Sequence, residues 1–380
     1  MLELRHVTKY YGRNLAVKDL NITCREGEFL VIFGPAGAGK STTLRLIAGI
    51  SPLSSGEIWF RDQNLNGIPP ENRNLAMAFE NYALYSHLTV FDNLAFPLRA
   101  RKIDKKEIDQ RVRKMAELLQ ITPLLGRRPG FMSGGQRQRV ALGRALIRDA
   151  DVYLLDEPIS HLDAKLRHHM RGELKAMCAQ WDSTVVYVTH DYKEAMALSD
   201  RIAVLNKGRL MQIGTPDEIY RRPANHFVAS FLGDPPMSFL DSELQRDNDR
   251  YFLRSGGLEI FIEDELAARI DANSPGGQVR LGMRATDLLI SPSQNETYSV
   301  PVEVYVVETF GYRNIVTSRC TGSGLVQSVS PSDMKFNVRD TAWLNLNVDN
   351  IHIFSSSGEA ISHPKSRNRR KEGYDGIHPA

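Results

Sequence analysis

Residues 34–41 read Gly-Pro-Ala-Gly-Ala-Gly-Lys-Ser, the spacing GxxxxGK[ST]. Glycines in such a run let the backbone curl until several N–H groups face one phosphate chain. A helix beginning there adds partial positive charge. Gly34, Pro35, Ala36, Gly37, Ala38 and Gly39 would form this cradle, Lys40 would reach the β- and γ-phosphates, and the Ser41 hydroxyl would ligate Mg²⁺. A chance match is expected in roughly 1 of 100 chains of this length. The alternative, a mere flexible turn, does not account for a strand pattern before it and a helix pattern after it.

Two more groups have chemical potential. The apolar run 152–155 ends in Asp156 and Glu157. A parallel sheet presents its ligand site at such a carboxyl edge. Asp156 could hold a metal, directly or through water, and Glu157 could orient or deprotonate an attacking water. Alone, the pair reads as exposed strand-end acids; after a phosphate loop in the same pattern, the metal and water roles are preferred. Ser133-Gly134-Gly135-Gln136 opens a helical pattern. Ser133 suits an N-cap and the glycines expose backbone donors, although in isolation this is an ordinary cap. His161, His168 and His169 read as surface or interface residues, since nothing groups them as metal ligands.

The elements that must position these groups alternate. Residues 2–7 and 15–24 have the apolar–polar alternation of half-buried strands, and 29–33 is a short buried strand. A helix is expected over 40–48, stopped by Gly49. Residues 105–119 place Ile108, Val112, Met115 and Leu119 three and four apart, and 136–147 is a second amphipathic helix. Strands return at 152–155, 184–189 and 201–205. This predicts an α/β, mostly parallel sheet with a helix-rich insertion over about 88–150. From 237 to about 355, short β-type runs (251–253, 258–262, 279–283, 300–307, 315–319, 325–329 and 342–348) are punctuated by Gly, Pro, Asn and Ser. They predict a small all-β barrel or sandwich.

Composition excludes several classes. A chain of 380 residues, 42% hydrophobic and 24% charged, is neither disordered nor a disulfide scaffold. The formal charge of +3 is carried by residues 362–380, where Lys365, Arg367, Arg369, Arg370 and Lys371 outnumber Glu372 and Asp375. The body is neutral, and this basic run lacks interleaved aromatics, so no nucleic-acid partner is expected. Cys24, Cys178 and Cys320 stand far apart, which argues against structural zinc and for a reducing compartment. The first residues lack a signal-peptide core. No apolar run approaches the ~20 residues of a membrane span, so membrane contact is expected only through a partner.

The order of these motifs resembles the ATP-binding cassette (ABC) family over about residues 1–233. The resemblance implies a P-loop nucleotide-binding domain using ATP and Mg²⁺. It implies that Tyr11 stacks on adenine and that Lys40, Ser41 and Thr42 contact phosphate and Mg²⁺. It also implies that Ser133, Gly134, Gly135 and Gln136 are the signature motif, Glu157 the catalytic base, and His190 the switch histidine near the γ-phosphate. Without the family, His190 would read as a plain polar residue at a strand end. Ser160-His161-Leu162-Asp163 would be the dimer-contact loop. The signature would close over ATP held by a second subunit, so ATP acts as glue between two chains. One position departs from the family: the segment from Ala78 to Tyr85 has Glu80 where the family has Gln. A carboxylate can ligate Mg²⁺ but donates nothing and repels phosphate. Glu80 is therefore expected to alter metal coordination and retune hydrolysis, or to mark a subunit that works beside a different ATPase.

Leu281-Gly282-Met283-Arg284 with Asp287 and Leu288, the stretch 302–311 and the segment 350–358 resemble the maltose-importer group within that family. Ala285-Thr286 replaces the expected Pro-Glu. The resemblance implies an OB-like accessory domain, serving as dimer glue or as a regulator's docking surface. The expected plan is a nucleotide-binding domain over 1–234, the OB-like domain over 235–358 and a disordered basic tail over 359–380. It implies an importer ATPase for a sugar, polyol or glycerol phosphate, at the cytoplasmic face of the membrane. Its partners would be a like or unlike second ATPase, two membrane-spanning permeases gripped by residues 81–88, and, indirectly, an external solute-binding protein. The alternatives are a hydrolysis-impaired regulatory partner or a soluble ABC ATPase outside transport. Neither the coiled coil or zinc spacings of repair members nor the paired cassettes of translation factors are present.

Overall fold

The computed structural model describes residues 1–181, 183–255, 257–294, 298–320 and 324–364. The chain forms two compact units, the first spanning Met1–Ile219 and the second starting at Tyr220.

In the first unit the uninterrupted apolar runs become central parallel strands. Phe29–Phe33, Val152–Asp156 and Thr184–Thr189 are buried at every residue, as strands covered on both faces must be. The six-stranded sheet runs, in spatial order, Arg209–Gly214, Arg201–Asn206, Phe29–Phe33, Thr184–Thr189, Val152–Asp156 and Leu75–Ala78. All pairs are parallel except the antiparallel edge Arg209–Gly214. The alternating runs form a separate antiparallel sheet in the order Asn14–Cys24, Leu2–Tyr11, Ser55–Phe60 and Gln63–Asn64. The two sheets share one apolar core through Leu4, Val17, Leu30, Leu44 and Val186.

The helical insertion is present. Val90–Ala100, Lys105–Leu118 and Gly134–Leu146 are each capped by a side chain: Thr89 accepts from the Asp92 N–H, Asp104 from that of Lys106 and Ser133 from that of Gln136. Ile108, Val112, Met115 and Leu119 are all buried, as their spacing predicts. The helix Ala164–Trp181 had not been anticipated.

The second unit is antiparallel β. One sheet has the order Leu258–Ile262, Arg250–Ser255, Ser238–Asp247, Gln278–Met283, His352–Ser355 and Ala360–Ser362. The other has Leu288–Ser291, Thr341–Leu346, Ser299–Thr309, Arg313–Cys320 and Gly324–Pro331. Leu240, Leu281 and Ile353 of the first join Val302, Val316 and Leu344 of the second in a single core. The unit is not purely β: Asp264–Asn273 is a helix that buries Ala267 and Ile270.

Two expected boundaries move. The units divide between Ile219 and Tyr220, upstream of 234. The reason is local. The Arg284 guanidinium is 3% exposed, donates to the carbonyls of Tyr220 (2.7 Å), Ala229 and Leu232, and lies 4.1 Å over the Tyr220 ring. The His226 N–H donates to Gly358 O at 2.7 Å. Residues 220–232 are thereby tied to the β unit, and Asp234–Pro235 is a cis turn within it, not a linker. The expected tail also starts too early. Ala360–Ser362 pairs with His352–Ser355, while residues 365–380 lie outside the described residues. Replacing Arg284 with Ala leaves three carbonyls without their donor, at a cost of about 3 kcal/mol. Amide exchange in Gln278–Met283 should then accelerate about 100-fold, provided it occurs through opening of this unit.

Candidate nucleotide site

The phosphate loop connects Phe29–Phe33 to the helix Lys40–Ile47. Its glycines are required by space and by backbone angle. A Cβ on Gly34 would lie 2.3 Å from Leu205 O. Gly39 has φ +97°, and a Cβ there would meet Ala16 O at 2.7 Å. The loop is thus wedged between the neighbouring strand Arg201–Asn206 and the antiparallel sheet. Lys40 is largely buried, and its Nζ donates to the carbonyls of Gly34 (2.9 Å) and Pro35 (3.0 Å). Burial lowers its pKa, while Glu157, Asp156 and Glu80 act in the opposite direction.

Ser41 Oγ donates to Asp156 Oδ1 at 2.9 Å, joining the first turn of that helix to the end of Val152–Asp156. Asp156 is 1% exposed. Burial pushes its carboxyl up to about 6. The Ser41 bond and Arg45 lower it, whereas Glu80 and Glu157 raise it further. Thr42 follows Ser41 within the same helix.

Glu157 takes up φ +45°, a left-handed conformation uncommon for a side chain of this size. Its N–H donates to Val188 O (3.0 Å) across the strand pair. Its Oε1 meets His190 Nδ1 at 2.8 Å. Strain of this kind clusters at functional positions. The two expected site residues from separate strand ends therefore touch, beside the Ser41–Asp156 pair.

Two supporting residues were missed. Gln138, 2% exposed on the helix Gly134–Leu146, donates to Glu157 O (2.7 Å) and Ser160 Oγ (3.2 Å) and accepts from the His161 N–H (2.9 Å). Glu194, also 2% exposed, accepts from Tyr187 OH and Thr189 Oγ1, both at 2.8 Å, and so fixes the strand end that carries His190. A polar residue on the buried face of an amphipathic helix was the only available signal for Gln138. Glu194 gave none.

Other expected residues lie apart. Ser133 and Gln136 form a reciprocal capping box, the Ser133 N–H donating to Gln136 Oε1 (3.0 Å) and Ser133 Oγ accepting from the Gln136 N–H. A Cβ on Gly134 would come no nearer a neighbour than 3.4 Å, to Tyr82 OH; one on Gly135 would lie 3.1 Å from His161 O. Asp163 accepts from the Leu166 N–H at the start of Ala164–Trp181. Among the described residues, these hydrogen bonds stay at their own helix ends and do not reach the phosphate loop. Tyr11 is 44% exposed, with Lys9 Nζ 4.8 Å from its ring centre. It ends the strand whose hairpin partner carries Ala16, the residue packed on Gly39.

A family model described as ABC transporter matches residues 17–160. The chain is 44% identical over 377 residues to the trehalose/maltose import ATP-binding protein MalK of Thermococcus litoralis, covering 95% of this chain and 99% of that protein. This chain belongs to the ATP-binding proteins of the ABC transporter family. It is also 42% identical over 357 residues to the sn-glycerol-3-phosphate import ATP-binding protein UgpC of Yersinia pseudotuberculosis, covering 93% and 97%. A solved dimeric ATP-binding cassette in a post-hydrolysis state with ADP and phosphate matches with TM-score 0.54 and 29% identity, over 57% of this chain and 99% of that one.

As an ABC ATPase the protein binds ATP, and its donor set suits Mg²⁺: a hydroxyl and a carboxylate are hard oxygen ligands. Among the described residues no three of His, Cys, Asp and Glu converge to hold a metal alone. A cation here would draw further oxygens from phosphate and water. The raised Asp156 carboxyl has a consequence for stability. Its proton binds more tightly in the folded state, so its favourable contribution is present below pH 4 and is lost as pH rises through about 6. Asp156→Asn keeps an acceptor for Ser41 and removes this loss. Relative to wild type without nucleotide, it should gain up to about 2–3 kcal/mol between pH 4 and pH 7. Unfolding curves at the two pH values check this.

Proposed function

We propose that this chain is the ATP-hydrolysing subunit of an importer for a sugar, polyol or glycerol-phosphate-type solute. The observation that carries the reading is the 2.8 Å contact between Glu157 Oε1 and His190 Nδ1 beside the Ser41–Asp156 hydrogen bond. Glu157 accepts a proton from the attacking water. His190 orients the carboxylate and, in this reading, senses the γ-phosphate. Lys40 and the loop N–H groups hold the triphosphate. Ser41 and Asp156 would hold Mg²⁺, with Glu80 acting on Asp156; the cation would supply charge neutralisation on the phosphate oxygens. Tyr11 offers a ring face to adenine.

Import of a carbohydrate-type solute is supported by the full-length similarity to MalK and UgpC, which includes the β unit. Dimer closure is supported by the Ser133–Gln136 cap, exposed at Ser133 and half-buried over Gly134–Gln136, whose glycine donors are not used by the phosphate loop of its own chain. In this reading a second ATPase, alike or unlike, receives that cap through contacts that include Asp163. Closure and opening of the pair drive two permeases. No helix among the described residues is long and apolar enough to cross a membrane. The permeases would therefore hold the chain at the cytoplasmic face, with the solute-binding protein outside and the β unit available to a regulator. The loop 81–88 supports the permease contact. Its Tyr85 is 37% exposed, packs 4.6 Å from exposed Phe96, and follows Tyr82 and Ala83, whose carbonyls Arg144 binds.

Glu80 favours a second reading, a subunit with impaired hydrolysis, but the Glu157–His190 pair is complete. In the assembled complex, Glu157→Gln should lower phosphate release by 10²-fold or more while retaining MgATP binding. His190→Ala should act in the same direction. Uptake of labelled solute should fall in parallel. Unchanged phosphate release in Glu157→Gln would refute the assignment.

A further inference from the structure

Glu80 lies where a charge counts. Leu75–Ala78 pairs in parallel with Val152–Asp156, with Ala78 opposite Leu155. The chain leaving Ala78 therefore emerges at the same carboxyl edge as Asp156, and Glu80 is two residues on. It acts electrostatically on both Lys40 and Asp156. It is exposed, and no hydrogen bond or ion pair among the described residues occupies its carboxylate. Around the phosphate loop three carboxylates, Glu80, Asp156 and Glu157, face Lys40, with Arg45 acting on Asp156. Among the charges that act most on Lys40 and Asp156, carboxylates outnumber cations. Loop N–H dipoles offset part of this deficit, but they are partial charges.

We propose that Glu80 makes nucleotide capture conditional on a divalent cation, by repelling metal-free ATP while tolerating MgATP. Glu80 acts through its field, as a specificity-determining residue at the mouth of the site. It need not belong to a metal cage, and none is formed by the described residues. A glutamine would have nearly the same size and reach without the charge. Free ATP carries close to four negative charges near neutral pH and MgATP two fewer, so the repulsion falls unequally on the two forms. The site would then reject nucleotide that cannot be hydrolysed. The inference rests on the ATPase reading and adds selectivity between two forms of one nucleotide.

The test is equilibrium binding, not turnover. ATP is titrated calorimetrically into the full chain at low ionic strength, once in excess EDTA and once in excess MgCl₂. Wild type, Glu80→Gln and Glu80→Asp are compared. The ratio of the metal-free Kd to the MgATP Kd should fall about five-fold or more in Glu80→Gln. It should stay near the wild-type value in Glu80→Asp, which keeps the charge. An unchanged ratio in Glu80→Gln overturns the proposal and leaves the ATPase reading standing. Wild-type protein that binds ATP in neither condition overturns both.

Discussion

A carboxylate buried at the end of a central parallel strand must be compensated, and here one hydroxyl does most of that work. Asp156 is almost wholly out of water, and its close hydrogen bond is from Ser41 at 2.9 Å. Burial of a charged oxygen without partners costs several kcal/mol. The bond therefore does more than decorate the loop. It locks the start of Lys40–Ile47 against Val152–Asp156 and sets the position of the phosphate cradle relative to the strand that carries Glu157. The order of the parallel strands follows the same need. Phe29–Phe33 and Val152–Asp156 flank Thr184–Thr189, so three strand ends deliver Lys40, Glu157 and His190 to one edge. A divalent cation held at this edge would relieve the carboxylate whose burial costs the fold, and would so couple stability to ligand binding.

The left-handed turn at Glu157 is the second consequence of this crowding. Residue 156 must end the strand with its side chain aimed at Ser41, and the next side chain must reach His190. A regular extended step would point it to the opposite face. The φ of +45° redirects the chain instead. What keeps the turn from relaxing is a set of ordinary hydrogen bonds: the Glu157 N–H to Val188 O, and the Gln138 Nε2–H to Glu157 O. Because Gln138 lies on the helix capped by Ser133, that helix and the turn at Glu157 share one buried amide.

The distinction between what could and could not be read from the chain follows the range of the interactions. The phosphate loop, the Ser133 cap and the buried strands are local patterns, and local patterns survive in sequence. The register that brings Glu157 onto His190 is non-local: both stand immediately after apolar runs, which put each at a strand end, but only the family resemblance joined them in one site. Gln138 and Glu194 left almost no trace, because a buried polar residue is recognised by what surrounds it. The division at Tyr220 was hidden for the same reason. Asp234-Pro235 has the composition of a linker, but residues 220–232 are held by Arg284, more than fifty positions away. The helix Asp264–Asn273 was obscured by the punctuated β pattern on either side. Its single buried face needs only Ala267 and Ile270, too few apolar positions to stand out.

Arg284 also shows how a matching motif should be interpreted. The segment Leu281–Arg284 carried the resemblance of the C-terminal region to one group of importer ATPases, and an arginine in a short motif invites a role in binding. Its guanidinium is consumed internally, donating to three backbone carbonyls and stacking on Tyr220. Planar, multidentate donors suit that task, and a lysine would satisfy fewer carbonyls. The motif therefore reports architecture: it joins the segment 220–232 to a two-sheet β unit. The fold of that unit does not reveal a ligand. The case for transport rests on the chemistry of the first unit and on the full-length likeness to importer ATPases, with Arg284 explaining why the two sequence regions that flank residue 234 belong to one folded body.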